Sequence, residues 1–393
     1  MKIVYLANLR LPTEKAYGIQ IVKMCEAFAL NGAEVSLIFP YRRNPNIKED
    51  LLKYYSVRDN FKVKQLQARD FYWPGFLDKI AVSIKNFISA RALVAEALKE
   101  NADAYYTRDE LVAYLLSKKD KKVVFECHRF SDKRGKFYSY FKKRSLKIVA
   151  ISNGLKDDLV KFGIEESNIL VAHDGVDLEE FSVETSKEEA RKRFYSNIHD
   201  ESFGRKKIAV YIGSLYSWKG GLKLFSDIAE SLCEKNANYL VSFFGGTDKD
   251  TNGLKEELKK VSDKINPNLV PMVCVRGRVP HKEVPYILKA ADCAILTGNK
   301  SDITSSKYTS PLKMFEYMAS GCPIVAHDLP SFREVLNTNN SFLVEPGNAQ
   351  AMAGTIDLVF KDEKLAKEKS DKALKDVQAY SWQTRAKNIL LII

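Results

Sequence analysis

Residues Tyr308 to Asp328 read YTSPLKMFEYMASGCPIVAHD, and this stretch decides the fold class. Thr309, Ser310 and Pro311 form a loop that runs into a mostly apolar helix in which Glu316 is the one carboxylate. Gly321 serves as a left-handed cap with Pro323 just beyond it. CPIVAHD then has the length and composition of a short buried strand. A helix N-terminus turns unpartnered N–H groups toward whatever lies in front of it, which suits a phosphate. Glu316, one turn further in, can accept two hydrogen bonds from a vicinal diol such as a ribose. The bland alternative is a buried glutamate in an ordinary strand-flanked helix, yet Glu is seldom buried without a partner.

Working outward, Ile208 to Gly221 reads IAVYIGSLYSWKGG. An apolar strand meets Gly213, a short turn follows, and Lys219-Gly220-Gly221 opens the helix LKLFSDIAESL. Strand, glycine turn and helix with a lysine at its mouth is how an α/β protein holds a phosphate at the carboxyl edge of its sheet. Neither GxxxxGK[ST] nor GxGxxG is present, so this is not a Walker loop or a dinucleotide fingerprint.

In this order the two stretches resemble the retaining glycosyltransferases of the GT-B fold, of the family 4 (glycosyl transferases group 1) type. The shared features are Gly213 with Lys219-Gly220, and a strand ending in Phe243-Phe244-Gly245-Gly246. After them come Arg276-Gly277-Arg278-Val279-Pro280, the run Ala291-Asp292-Cys293-Ala294-Ile295-Leu296, and the helix that carries Glu316. The resemblance spans nearly the whole chain. Two positions depart from it: Tyr308 stands where the family has its first glutamate, and Ser214 stands where an arginine often follows the first glycine. Lys313, near the helix mouth, is placed to restore a positive charge beside a diphosphate.

The resemblance implies an α/β protein of two doubly wound Rossmann-like domains facing a central cleft. It also implies a nucleotide diphosphate sugar as donor, UDP ahead of GDP, with no cofactor. Lys219 would stabilise the departing diphosphate and His128, at the end of FECH, would hold the sugar and its developing charge. Donor contacts would come from Gly18, from Gly213 and Ser214, and from Gly245 and Gly246. The base would lie along Arg276, Gly277 and Val279, with Thr309, Ser310, Leu312, Lys313 and Glu316 on the phosphates and ribose. Tyr106 and Arg108, with Asp109, end the preceding strand and are candidates for the acceptor side. A nucleotide-sugar epimerase or hydrolase on the same scaffold, or a homologue with a decayed donor site, remains an alternative.

The chain has 393 residues, enough for two domains of ordinary size, and its 45% hydrophobic and 28% charged residues suit a soluble globular protein. Seven strand-like runs alternate with helical ones from residue 2 to about 172, as in a parallel sheet covered on both faces. These place a first domain at 1–178, a polar linker at 179–207, and a donor-binding domain at 208–378. A last helix at 379–393 either returns to the first domain or closes the second. The six cysteines show no CxxC and no metal-ligand spacing, which suits reduced core thiols. Asp248-Lys249-Asp250 is a DxD, taken here as a solvated turn, and no metal is expected. The chain opens on a strand, so no signal peptide is expected, and no apolar run reaches membrane-spanning length.

The net charge of +12 is concentrated. Lys121 to Lys147 holds ten Lys/Arg against two acids, interleaved with aromatics in KRGKFYSYFKKRSLK, and FYWPGFL at 71–77 adds more aromatics. No nucleic-acid module is present, so the expected partner is an anionic membrane surface met through Lys142, Lys143 and Arg144. A solvated basic face is the alternative. The reading is a cytoplasmic, peripheral enzyme meeting a glycan or lipid-linked acceptor on the inner face of the cell membrane, in surface-polysaccharide biosynthesis.

Overall fold

A computed structural model of the chain describes residues 1–68, 70–196, 206–215, 221–236, 238–264 and 272–393. The chain forms two compact units, Met1–Gly175 with Trp382–Ile393, and Val176–Ser381. The first holds seven parallel strands: β1 (Lys2–Leu6), β2 (Glu34–Pro40), β3 (Lys62–Leu66), β4 (Ala104–Thr107), β5 (Val123–Cys127), β6 (Lys147–Ala150) and β7 (Ile169–Val171). Their order is β3-β2-β1-β4-β5-β6-β7. The chain reverses direction across the sheet between β1 and β4, and in open α/β sheets ligands bind at the strand carboxyl ends near that point. Central strands such as β4 and β5 are buried at every position, as apolar runs covered on both faces must be. Edge strand β3 instead exposes Lys62 and Lys64, which discourages pairing with another chain.

The second unit repeats the pattern with β8 (Lys207–Ile212), β9 (Tyr239–Phe244), β10 (Val273–Arg276), β11 (Cys293–Leu296), β12 (Ile324–His327) and β13 (Phe342–Val344). The order is β10-β9-β8-β11-β12-β13, again parallel. Two apolar layers cover its faces, one around Phe315, Tyr317 and Phe332, the other around Phe225, Phe243 and Ile356. Each fully buried aliphatic or aromatic side chain of this kind stabilises by about 1.5–3 kcal/mol.

The segment 179–207, expected as a linker, holds most of helix Leu178–Phe181 and all of helix Lys187–Tyr195 and belongs to the second unit. Helix Lys187–Tyr195 starts at a Ser186–Glu189 capping box. It buries Ala190 and Tyr195, and its Arg191 bonds Asp292 at 2.7 Å. Charge density misled here because an amphipathic helix shows more polar than apolar positions. Helix Trp382–Leu390 lies in the first unit beside helix Ala16–Leu30, with Trp382, Arg385, Ala386 and Ile389 buried.

Candidate functional site

Three neighbouring strands of the second sheet end in glycine: Gly213 after β8, Gly245 after β9 and Gly277 after β10. The Gly213 N–H donates to the Phe244 carbonyl at 2.8 Å and the Gly245 N–H to the Gly277 carbonyl at 3.0 Å. Gly245 has φ +114°, and a Cβ there would lie 2.2 Å from the Gly213 carbonyl oxygen. No side chain fits, so this edge is bare backbone. A Cβ on Gly277 would meet nothing within 4 Å.

Helix Leu312–Ser320 is tied to that edge by Tyr317, whose hydroxyl accepts from the Ile212 N–H at 3.1 Å and donates to the Ile212 carbonyl at 3.3 Å. Thr309, Ser310 and Pro311 lead into it, with Pro311 at the N-cap position. Lys313 sits in that turn with its ammonium 4.1 Å over the Tyr211 ring and 3.3 Å from where a Gly213 Cβ would stand. A cation over an aromatic face is attracted by the negative face of the ring. The Tyr211 hydroxyl in turn donates to the Ser214 carbonyl at 2.7 Å.

Glu316 lies one turn further on, buried, with Oε1 2.8 Å from His281 Nε2. His281 Nδ1 is 3.2 Å from Glu180. Burial pushes this imidazole down, but its hydrogen bonds to Glu180 and Glu316 outweigh that and raise it to about 10. His281 is therefore a cation between two carboxylates at neutral pH, and it fixes the Glu316 carboxylate through one oxygen.

In the first unit, Glu126 and His128 alternate on one face at the end of β5. Glu126 is fully buried. It accepts from Gln20 Nε2 at 2.6 Å, from Arg385 Nη2 at 3.0 Å and from the Tyr106 hydroxyl, and meets His128 Nε2 at 2.5 Å. Arg108 donates to Gln20 at 2.7 Å and stands 3.8 Å from Glu126. Burial pushes the Glu126 carboxyl up, yet Arg385, His128 and Arg108 hold it well below the usual range. Burial and then Arg108 push His128 down to about 4 against the pull of Glu126. An ionised carboxylate can only accept, so Nε2 carries the imidazole proton and Nδ1 offers a lone pair.

The sequence matches the family described as Glycosyl transferases group 1 over residues 196–376, and Glycosyltransferase Family 4 over residues 18–180. The chain is a family 4 glycosyltransferase of group 1. An uncharacterized glycosyltransferase of Methanocaldococcus jannaschii is 25% identical over 63% of this chain, and the match spans 62% of that relative, less than two thirds of its length. Among solved structures, HepE of Anabaena in complex with UDP and glucose is 15% identical with a TM-score of 0.72, over 100% of this chain and 98% of that one. A glycosyltransferase of Rickettsia africae is 19% identical with a TM-score of 0.74, over 100% and 97%. These likenesses show the fold, two Rossmann-like domains of the GT-B type.

Within this glycosyltransferase the expected site residues part company. Gly213, Ser214, Gly245, Gly246, Gly277, Lys313 and Glu316 lie on β8, β9 and β10 ends or on the helix tied to them. Lys219 lies outside the described residues. Arg276 turns its guanidinium to the Phe194 carbonyl at 3.2 Å, and Val279 packs against the apolar layer, so any base contact here falls to main chain. Leu312 is buried. Gly18 is not in a loop but in the first turn of helix Ala16–Leu30, where its N–H donates to the Lys15 carbonyl at 2.9 Å. A Cβ on Gly18 would stand 2.0 Å from the Tyr55 hydroxyl, so close packing explains the glycine and its amide is already engaged.

Tyr106 is fully buried and donates to Glu126, which removes it from any acceptor surface. Asp109 caps helix Glu110–Ser117 through the Val112 N–H at 2.9 Å. The DxD opens helix Asp248–Lys264, and the Asp250 carboxylate takes the Thr247 N–H at 2.7 Å; it is a helix start and not a free turn. Among the described residues no cluster of His, Cys, Asp or Glu is arranged to hold a metal, and no helix is long and apolar enough to cross a membrane. Lys142, Lys143 and Arg144 are exposed, Arg144 being paired with Asp120. Of the aromatics beside them Tyr138 and Phe141 are buried, Phe141 on Phe125, while half-buried Phe137 and Tyr140 pack on half-buried Tyr114.

Sequence reading missed His281, Glu180, Glu126 and Arg385. Glu126 had a signal, two positions before His128 on one strand face. Arg385 had none, since its partner is 259 residues away.

Proposed function

We propose that this glycosyltransferase moves a sugar from a nucleotide diphosphate donor to a glycan or lipid-linked glycan, with retention at the anomeric carbon and without a metal. UDP is the first nucleotide to test. The observation that carries the reading is the glycine edge of the second sheet, with Lys313 over Tyr211 beside it and Glu316 one turn along. Bare backbone lets a diphosphate approach the main chain closely, and the N-terminus of helix Leu312–Ser320 adds a favourable field. Glu316, steadied by His281 on Oε1, keeps Oε2 for a ribose hydroxyl. The carboxylates near this edge are engaged, Asp250 with Thr247 and Glu316 with His281, and the positive charge comes from lysine.

The difficult step is departure of the diphosphate, as the C1–O bond to phosphate breaks and the sugar becomes oxocarbenium-like. Lys219 and Lys313 would stabilise the charge that develops. The acceptor oxygen would bond to C1 on the face the phosphate leaves, and its proton would pass to a phosphate oxygen. His128, neutral at pH 7, would accept a hydrogen bond from a sugar hydroxyl at Nδ1.

The test uses purified protein, a panel of labelled nucleotide sugars, and a membrane extract as acceptor source. Transfer that requires the extract supports the reading, and product formed without it indicates an epimerase or hydrolase. No heat with UDP, GDP or ADP in calorimetry indicates a decayed site. A folded Lys219→Ala variant is expected to turn over roughly 10²-fold more slowly or worse. Near wild-type turnover would sink the role given to Lys219.

A further inference from the structure

Helix Leu77–Ala97 of the first unit is apolar on two sides. Its inner side buries Ala81, Ala90, Leu93 and Val94 against the domain. A helix that is apolar all round is normally buried all round. Here the outer side is not: Phe76, Leu77, Ile80, Ile84, Phe87 and Ile88 are between 38% and 79% exposed. At 100° per residue, Phe76, Ile80, Ile84, Phe87 and Arg91 share one sector on the order of 120° wide, so the exposed groups form a continuous stripe. Tyr72 and Trp73, also exposed, stand just before its start. Together they leave on the order of several hundred Å² of apolar surface in water, more than a monomer's scattered exposed residues produce.

The exposed charges of the stripe are of one sign, while Asp78 in the helix's first turn is half-buried. Asp78 is taken by the Trp73 N–H at 3.2 Å, and Glu96 is paired with Lys64 at 2.6 Å. Lys85 is buried, 2.9 Å from Asp70 and 3.8 Å from the Tyr72 ring centroid, which holds the aromatic segment against the helix. That leaves Lys79 and Arg91 as the exposed charges of the helix's first four turns, in a chain of net charge +12. A two-fold dimer through this face would gather Lys79 and Arg91 of both copies at one seam, which like charges oppose. An anionic leaflet complements both features: acyl chains take the apolar stripe, phosphates take the cations, and Trp73 and Tyr72 suit the headgroup level.

We propose that the outer face of Leu77–Ala97, with Tyr72 and Trp73, is the surface by which this chain docks on an anionic lipid bilayer. The inference rests on the membrane-borne acceptor proposed above and relocates the contact from Lys142, Lys143 and Arg144, whose neighbouring aromatics are buried or packed on Tyr114.

The experiment is co-sedimentation of the full chain with phosphatidylcholine vesicles containing about a quarter phosphatidylglycerol, an anionic surface of ordinary strength. The wild type should bind them, bind pure phosphatidylcholine less, and lose affinity as salt rises. A variant combining Phe76→Ser, Ile80→Ser, Ile84→Ser and Phe87→Ser should bind about tenfold more weakly or worse. Because these side chains are exposed, its melting temperature should be unchanged. Ser83→Leu, on the same face, should bind more tightly, which no folding defect would mimic. The proposal is overturned if the wild type ignores anionic vesicles or if the serine variant binds them as well as wild type. It is also overturned if the stripe instead holds a dimer in solution that the serine variant disperses. Turnover on a detergent-solubilised acceptor keeps the two readings apart. The serine variant should retain it, whereas absence of transfer from the wild type with vesicle binding intact would count against glycosyl transfer alone.

Discussion

Glu316 shares Oε1 with a histidine that Glu180 also holds, so the orientation of the candidate ribose carboxylate depends on a cation outside its own helix. Removing that cation leaves two carboxylates facing each other across the vacated space. His281→Asn is therefore expected to raise the KM for donor about tenfold, the worth of a hydrogen bond to a charged group, with kcat changed little. His281→Lys, which restores charge, should recover part of the loss. Equal falls in kcat and kcat/KM, with KM unmoved, would contradict a positioning role. Glu316 was legible because it is a lone carboxylate in an apolar helix. His281 was not, although the quoted Arg276–Pro280 motif ends immediately before it. A histidine's meaning comes from its neighbours, and both of these lie far along the chain.

At the scale of elements, the expected strands of the first unit all form, because apolar runs of four to seven residues between turn signals have one economical fate in an α/β chain. What the pattern could not tell was which element covers which. The basic-aromatic run at 133–147 buries Tyr138 and Phe141 and exposes Lys142, Lys143 and Arg144, and a one-dimensional reading merges the two faces. Likewise helix Trp382–Leu390 carries, beside its buried Trp382, Ala386 and Ile389, a buried arginine. Arg385 donates to Glu126 at 3.0 Å, to the His173 carbonyl at 2.8 Å and to the Ala172 carbonyl at 3.3 Å. Breaking a buried ion pair by removing one partner costs about 3–5 kcal/mol, because the remaining charge stays uncompensated. Arg385→Met should cost about that much in denaturant unfolding of the first unit, and adding Glu126→Gln should recover a good part of it. If the double variant is no more stable than Arg385→Met, the helix is held by its apolar face and not by this pair.

For the whole molecule, the two units answer pH in opposite senses. In the second, His281 is raised to about 10 from 6.5, so its contribution is complete below about 6.5 and is lost as pH rises through 10. In the first, His128 is lowered to about 4, so the folded state binds fewer protons than the unfolded chain between 4 and 6.5. Alone, that would make stability rise with pH across this window. Asp174 acts against it: burial first, and then the nearby Glu126 charge, raise its carboxyl to about 7 despite Arg385, so over the same window the folded state binds one proton more. The two counts cancel there, and stability of the first unit should be level until, below 4.5, the unfolded chain takes up a proton at Glu126 that the folded state, with this carboxyl held well below that value, does not. The expectation is a plateau with an acid limb set by Glu126 and an alkaline limb that His281 opens above 6.5, falling by up to about 1.4 kcal/mol per pH unit for one proton, to which the buried thiols add above 9.0. His281→Gln should flatten the alkaline limb of the melting-temperature profile and leave the acid limb in place. Histidine proton NMR supplies the direct check. One resonance, lost in His281→Gln, should remain in its charged position beyond pH 8, and one, lost in His128→Gln, should stay neutral down to about pH 5. A His281 resonance titrating near 6.5 would mean that Glu180 and Glu316 do not clamp it in solution, and the alkaline limb would then need another group.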